Sequence, residues 1–400
     1  MVGMAPLSRR ALLQGLSAGT GLGWIGCGSS AGSEVQVDAA VADAGIPQDA
    51  LDEESEVDYP FPYVDGMSFP SSSDADVEAC GLSAFIWDVS YCEPVDMPKG
   101  PVNCVRTFMG CSKGLADALE KVAKLPNVFV ATHGSEIAQA WSDKRVCVFL
   151  QLQGADSLVE DFANLDYFYD RGLRILQLTH TYGNALASSF ADKASTGLTP
   201  LGVQAIELMN AKNVIVDISH ASPLTCADVF ETSKKPVVLT HGAAHSLCKS
   251  ARCSPDEVIK GVADSGGVFG IFMMSCWLTD APVPTVEHLV AQVRHVINTG
   301  GIDAVGISND YTLAGEEQAA ALGNDNAKAV EAYYTWWQQM AELGLEGFDQ
   351  LVQHVVIPEL NNVYRMSLID KALKAAGHSC AEREKIMGGN FRRFLTQELG

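Results

Sequence analysis

The sequence predicts an α/β protein, a (β/α)8 TIM-type barrel with a C-terminal helical extension. From residue 59 onward, eight short and continuously apolar runs alternate with longer amphipathic stretches. Continuous apolar runs are typical of parallel strands buried on both faces, and eight such strands separated by helices match this barrel. The 400 residues, 47% hydrophobic and 19% charged, are sufficient for one large core.

The predicted strands and helices alternate along the chain. The strands are Pro62–Gly66, Ala84–Val89, Val146–Leu152, Arg174–Thr179, Val214–Ser219, Pro236–Thr240, Val268–Met273 and Ala304–Ser308. The intervening helices include Ser112–Leu125, Pro200–Lys212, Ser222–Ser233, Pro255–Ser265 and Thr285–Thr299. The helical extension comprises Ala327–Leu343, Leu351–Leu360 and Ala381–Glu398.

Residues 1–27 are predicted to be an export signal rather than a folded element. Arg9 and Arg10 precede an apolar, Gly-rich run over residues 12–26, which is the pattern of a twin-arginine signal. The run is shorter than the roughly 20 residues that a membrane-spanning helix needs. It ends at Cys27 in a pattern that resembles the bacterial lipoprotein box, so we expect Cys27 to carry a lipid anchor.

Residues 28–58 are predicted to be a disordered acidic linker, because they contain nine acidic residues and no lysine or arginine. The predicted folded domain, residues 59–400, has a formal charge of −15 of the −22 of the whole chain. Nucleic-acid binding requires a basic surface, so we expect no nucleic-acid partner. We expect a twin-arginine-exported protein of the cell envelope or periplasm that contacts a membrane only through its lipid anchor.

Ten further cysteines follow the one in the signal, an even number in a chain with an export signal. Cys92, Cys104 and Cys111 lie in one loop region, and Cys248 and Cys253 are five residues apart. We expect one to three structural disulfides, whose pairing stays open. The sequence has no C-x-x-C pair, so a zinc ribbon or a thioredoxin-type site is not expected.

Polar residues follow four of the predicted strands at equivalent positions. The fourth run is followed by His180, the fifth by His220, the sixth by His241 and the eighth by Asp310. In barrels of this class the chemistry lies at the C-terminal ends of the strands. Clusters of histidine and carboxylate with an open position bind catalytic zinc, so we expect these four residues to share one site.

A further set of motifs is spread over the folded domain, comprising Gly197–Gly202, Val216–His220, Pro236–His241, Arg252 and Gly389–Arg392. Together these motifs resemble the membrane (renal-type) dipeptidases, which are zinc enzymes of the amidohydrolase-like barrel class. The resemblance extends over about residues 60–395. It implies a metallodipeptidase that cleaves the amide bond of dipeptides or similar small substrates.

The resemblance also implies a role for each rim residue. His220 and His241 would bind zinc, and His180 would contact the substrate carbonyl or the tetrahedral intermediate. Asp310 would handle the proton of the attacking water. Arg252 would bind the C-terminal carboxylate of the dipeptide, a role that suits the planar fork of a guanidinium.

The chain departs from the family at three of the five metal-ligand positions. Met67 and Phe69 replace a His-x-Asp pair after the first strand, and Gln153 replaces the bridging glutamate after the third. A thioether is a soft ligand and a phenyl ring cannot coordinate zinc. We expect one zinc ion on the two histidines, with Asp310 or the doubtful Gln153 left open as a further ligand. Two ions would require a substitute such as Asp65 or Asp156.

Three functions stay open on this basis. The first is a one-zinc dipeptidase-like hydrolase, with activity impaired by the altered first metal site. The second is a catalytically inactive barrel that binds a carboxylated peptide ligand. The third is another barrel hydrolase, such as a lactonase or aminoacylase, that acts on other amides or esters. The expected partner is a small dipeptide-like substrate, and a homodimer is left open.

Overall fold

The computed structural model describes residues 60–70, 74–91, 93–95, 103–313, 315, 338, 341–342, 354 and 356–400. The predicted signal, Cys27 and the acidic linker lie outside the described residues, as does most of the predicted helix Ala327–Leu343.

Eight parallel strands form a closed barrel. The strands are β1 (Tyr63–Asp65), β2 (Leu82–Asp88), β3 (Val146–Gln153), β4 (Leu173–Gln177), β5 (Ile215–Asp217), β6 (Leu239–Gly242), β7 (Phe269–Ile271) and β8 (Val305–Ile307). Strands β1 to β5 pair in chain order, as do β6 to β8.

Backbone hydrogen bonds join the two groups of strands into one barrel. Ile218 N–H donates to Val238 O at 2.9 Å, which links β5 to the start of β6. Gly66 N–H donates to Ile307 O at 2.9 Å, which links β1 to β8. The order of the strands around the barrel is therefore their order in the chain, and the predicted (β/α)8 fold is confirmed.

The helices lie between and after these strands. The α-helices of the described chain are Asp74–Ala79, Phe108–Ala123, Glu136–Asp143, Asp156–Glu160, Asn164–Tyr169, Pro200–Lys212, Pro223–Thr232, Asp256–Asp264, Ser275–Leu278, Val286–Gly300, Arg365–Ala375, Cys380–Glu384 and Asn390–Leu399. Two 3₁₀ turns, Ile302–Ala304 and Pro358–Leu360, and a π-helical turn, Lys385–Gly389, complete them.

Several helices and strands of the structure are absent from the sequence-based prediction. Helix Arg365–Ala375 is one, and the strand Val128–Val130, which pairs in parallel with the start of β3, is another. A third is the antiparallel pair Glu93–Val95 and Asn103–Val105.

The predicted helix Leu351–Leu360 is wrong at its described end. Val356 forms an isolated bridge with Met274, and a 3₁₀ turn begins at Pro358. The physical reason is the proline, because the residue before a proline is disfavoured in the α conformation.

The last helix, Asn390–Leu399, contributes side chains to the interior of the barrel. Phe391 and Phe394 belong to the same buried cluster as the inward-facing side chains of the strands, such as Phe149. A Cβ placed on Gly66 or on Gly306 would lie 2.4 Å from the Phe391 ring. The ring therefore fits only against strands that carry glycine at these two positions, which ties the helical extension to β1 and β8.

Within the described residues no helix is long and apolar enough to cross a membrane. The eight cysteines whose side chains the structure describes form no disulfide, and seven of them are buried. The expected disulfides are therefore not found among these eight residues.

Candidate functional site

The rim of the barrel brings three of the predicted histidines together. His220 and His241 follow or end adjacent strands, and their Nε2 atoms lie 2.9 Å apart. The ring of His180 stacks on that of His220, with centroids 4.4 Å apart and an angle of 20° between the planes. All three histidines have pKa values well below 6.5, chiefly because they are buried. They are therefore neutral at pH 7, the form of imidazole that binds metal ions.

A hydrogen-bond chain fixes the tautomer of His241. The Thr240 hydroxyl lies 2.6 Å from the buried carboxylate of Asp217 and 2.9 Å from His241 Nδ1. Because a carboxylate accepts, the hydroxyl donates to Asp217 and its oxygen accepts from His241 Nδ1–H. The Nε2 atom of His241 then carries a lone pair that faces His220, which is the arrangement of a metal-ligating histidine with an oriented ring.

The main chain is strained at two of the rim residues. His220 and Asp310 have φ values of 63° and 54°, in the left-handed region that non-glycine residues rarely adopt. The other two such residues of the described chain, Lys144 and Asn213, each lie at the C-terminal end of a helix, where this conformation is common. Strain that is not explained by a helix end is typical of functional sites.

Asp310 and Arg252 form the charged part of the rim. Burial raises the pKa of Asp310 to about 7, against the opposing effect of Arg252, while the neighbouring carboxylates of Asp65 and Asp88 raise it further. At neutral pH this carboxyl group is therefore divided between its two protonation states. A residue of that kind can accept and return a proton during one reaction cycle.

Arg252 is 3% exposed and has no carboxylate ion pair among the described residues. Its Nη2 donates to His241 O at 3.1 Å, and its Nε is buried without a hydrogen-bond partner. The rings of Phe190, Phe272 and Trp277 surround the guanidinium, with centroids 5.3–5.8 Å away. This is a positive charge held in an apolar cage with donor capacity left over for an anion.

The residues at the first metal position do not fit a zinc ion. Met67 is fully buried, and its Sδ lies 3.5 Å from Gln153 Nε2, so a neutral thioether–amide contact joins the ends of β1 and β3. Phe69 packs against the hydrophobic core. Asp65 is not available as a substitute ligand, because its two oxygens accept from Met67 N–H and from the main chain and side chain of Asn309.

Asp156, the other candidate substitute, lies beside Arg106 and accepts a hydrogen bond from the Arg106 main chain and one from the Asn184 side chain. In the part of the chain that the structure describes, no group of three or more His, Cys, Asp and Glu side chains could hold a metal ion. The site therefore offers one pair of nitrogen ligands at His220 and His241.

The pair supplies two of the three protein ligands that catalytic zinc sites usually have. Zinc–nitrogen bonds of about 2.0–2.1 Å at a tetrahedral angle place two ligand atoms about 3.3 Å apart. The two Nε2 atoms are 2.9 Å apart and share a hydrogen bond, so a small opening of the pair would accommodate the ion. The buried Nδ1 of His220 has no hydrogen-bond partner. The His220 ring therefore lacks the hydrogen bond that orients the His241 ring through its Nδ1.

Two charged residues of the rim were missed by the sequence analysis. Asp88 is the last residue of β2, and a carboxylate at the C-terminal end of a predicted strand was a usable signal. Arg106 is 5% exposed and lies against Gly154, whose Cβ would be 2.8 Å from Arg106 Cδ. It lies in a connection between elements, where the sequence contained no signal for it.

Comparison with known proteins identifies a family and a related curated protein. The family model described as membrane dipeptidase, peptidase family M19, matches residues 77–331. A curated protein named dipeptidase verJ, from Clonostachys rogersoniana, is 30% identical over 184 residues. That alignment covers 46% of this chain and 47% of the relative, so it spans about half the length of each protein.

Solved structures share the fold at low identity. An amidohydrolase from Pseudomonas aeruginosa superposes with a TM-score of 0.70 at 21% identity, covering 85% of this chain and 97% of that protein. A metallopeptidase from Rhodobacter sphaeroides, liganded with a phosphinate mimic of the dipeptide L-Ala-D-Ala, gives a TM-score of 0.67 at 16% identity, covering 85% and 99%. These structural similarities are evidence for the barrel fold only. Since the family model matches well over half of the sequence, the chain belongs to the membrane dipeptidase family, peptidase family M19.

Proposed function

We propose that this protein is a hydrolase of dipeptide-like amides that uses one zinc ion, bound by His220 and His241. The observation that carries the proposal is the pair of Nε2 atoms 2.9 Å apart, on neutral imidazoles at the ends of adjacent strands. A zinc ion there supplies Lewis-acid polarisation of a carbonyl group and activation of water.

The protein side chains perform the remaining steps. Arg252 binds the substrate carboxylate with the donors that its own chain leaves unused. His180 lies on the ring of His220 and donates a hydrogen bond to the oxygen on which negative charge develops. Asp310 accepts the proton of the attacking water at a carboxylate oxygen and returns it to the leaving amine.

The test is elemental analysis of protein purified without added metal, with a dipeptide hydrolysis assay on the same sample. We expect about one zinc ion per chain and measurable turnover. His220→Ala is expected to lose both, whereas His133→Ala, at an exposed histidine remote from the rim, is expected to retain both. Two zinc ions per chain would contradict the one-metal site, and turnover without any metal would contradict the proposal as a whole.

A second candidate function is an inactive barrel that binds a carboxylated peptide ligand. The contact between Met67 Sδ and Gln153 Nε2 favours it, because neutral side chains occupy the positions where the family holds its first metal. This function predicts tight binding of a dipeptide without turnover in zinc-loaded protein. Turnover that disappears in Asp310→Asn would contradict it.

Another barrel hydrolase of the lactonase or aminoacylase type is the third candidate. It predicts that dipeptides are not cleaved while other amides or esters are. No contact in the described part of the site favours it over the first two.

A further inference from the structure

The two ends of a dipeptide carry opposite charges, a positive ammonium and a negative carboxylate. On opposite sides of this barrel mouth lie an arginine, Arg252, and an aspartate, Asp88. Arg252 lies in the connection after β6, and Asp88 ends β2. In a closed eight-stranded barrel in chain order, β2 and β6 face each other across the mouth. An extended dipeptide spans at most about 7 Å and carries its ammonium and its carboxylate at opposite ends.

The Asp88 carboxylate is held firmly at one oxygen. Its Oδ1 accepts from Ser90 N–H at 2.8 Å, Ser90 Oγ at 2.6 Å and Gln153 N–H at 3.1 Å. None of the hydrogen bonds within the described residues ends on Oδ2, and the side chain is partly exposed. One oxygen therefore orients the group while the other is left to accept from a ligand.

The surroundings of Asp88 favour a cation over an anion. Arg106 is shared electrostatically between Asp88 and Asp156, so two carboxyl groups face one guanidinium. The Arg106 side chain is packed over Gly154, and Asp156 is hydrogen-bonded to the Arg106 main chain, so neither group turns freely toward the mouth. Asp88 is the member of the three that lies at a strand end.

Asp88 also lies between the two positions at which this chain has lost its family's metal ligands. Strand β2 pairs with β1, which is followed by Met67, and with β3, which ends at Gln153. The Gln153 main chain donates directly to Asp88. The rim thus retains a carboxylate beside the first metal position although the residues there do not fit a metal.

We propose that Asp88 Oδ2 binds the α-ammonium group of the substrate. The substrate thus supplies a positive charge on this side of the barrel mouth. The inference rests on the proposed function and adds the residue that recognises the amino end of the substrate. Asp88 is thereby a specificity-determining residue.

The test compares glycylglycine with N-acetylglycylglycine, which keeps the carboxylate and loses the ammonium. Binding is measured by calorimetry at pH 7 on the zinc-loaded full-length chain, with turnover on the same samples. We expect glycylglycine to bind about 30-fold or more tightly than its acetylated form, and Asp88→Asn to remove that difference by weakening glycylglycine alone. Asp88→Glu, which keeps the charge, is expected to restore part of it.

Asp156→Asn is the matched control, because it removes the other carboxylate beside Arg106. It is expected to keep the preference for the free amine, and a thermal melt of each variant checks that the fold is retained. Equal binding of the two ligands by the wild type overturns the inference. So does an equal loss for both ligands in Asp88→Asn, or the same effect in Asp156→Asn. Ammonium-dependent binding without turnover overturns the hydrolase function and leaves the inference standing.

Discussion

Asp310 combines a strained main chain with a carboxyl group that titrates near neutrality. Its pKa of about 7 follows first from burial, and its left-handed conformation is supported by donation of its N–H to Met67 O at 2.8 Å. If it accepts a proton in the reaction, kcat/KM rises with pH through about 7. Asp310→Asn is expected to lower kcat/KM by about 10²- to 10⁴-fold and to abolish this limb of the pH profile. A variant that keeps the limb would exclude Asp310 as the proton acceptor.

The same pKa predicts how Asp310 affects stability. The folded-state value lies above the ordinary 3.8, so the folded state favours the protonated form. The stabilisation is complete below about pH 4 and is lost as the pH rises through 7. We therefore expect Asp310→Asn in the metal-free protein to raise the melting temperature at pH 8 relative to the wild type, and to have little effect at about pH 3.5. A melting temperature lowered equally at both pH values would indicate a different role for the carboxyl group.

Three side chains distinguish this rim from one that binds two metal ions. Met67 Sδ and Gln153 Nε2 contact each other at 3.5 Å, and Phe69 packs on the core. The triple variant M67H/F69D/Q153E restores the ligand types that the family resemblance implies. We expect its zinc content to rise from about one to about two ions per chain, measured by elemental analysis.

The control for that variant is M67Q/F69N, which introduces polar groups at two of the positions without a strong ligand. It is expected to keep the zinc content of the wild type. If the triple variant also binds no additional zinc, and its melting curve shows a folded protein, then groups other than these three prevent the first site from forming.

At the scale of single elements, the last helix, Asn390–Leu399, determines how the barrel is filled. Phe391 is fully buried against Gly66 and Gly306, and Asn390 Nδ2 donates to Ile302 O and Val305 O at 2.7 and 2.8 Å. Phe391→Ala leaves a cavity in the inner core, so we expect it to lower the free energy of unfolding by about 3–5 kcal/mol.

Chemical denaturation measures that change, and Met109→Ala is the matched control. Met109 is a large apolar side chain that is 71% exposed, so its truncation is expected to change stability by less than about 0.5 kcal/mol. A loss of less than about 1 kcal/mol in Phe391→Ala would mean that the last helix is not part of the folded core.

The strands were predictable because each is a short apolar run buried on both faces, and each of the eight predicted runs overlaps a barrel strand. The site residues that end these strands could be found for the same reason, since parallel order places them on one rim. Arg106 was not predictable, because its contact with Gly154 is set by packing between distant segments. The strand Val128–Val130 was missed because it lies in a connection and pairs only with the start of β3.

At the scale of the whole molecule, charge is distributed unevenly between surface and site. The chain has a formal charge of −22, yet Arg252 and Arg106 are both buried near the rim, where they act on His180 and His220. Positive charge inside an acidic protein favours small ligands that carry a carboxylate over extended polyanions, which the outer surface repels. This is the charge pattern expected for a small zwitterionic substrate.

The N-terminal region predicts where this barrel is located. We propose that Arg9 and Arg10 direct export and that Cys27 is lipidated, so that the acidic residues 28–58 hold the folded domain away from a membrane surface. In an export-competent bacterial host, the wild type is expected in the detergent phase after phase separation. Cys27→Ala is expected in the aqueous phase with unchanged dipeptide hydrolysis, and R9K/R10K to accumulate as uncleaved precursor. Mass spectrometry of the N-terminal peptide checks the lipid directly, and a Cys27→Ala protein that still partitions into detergent would contradict the anchor.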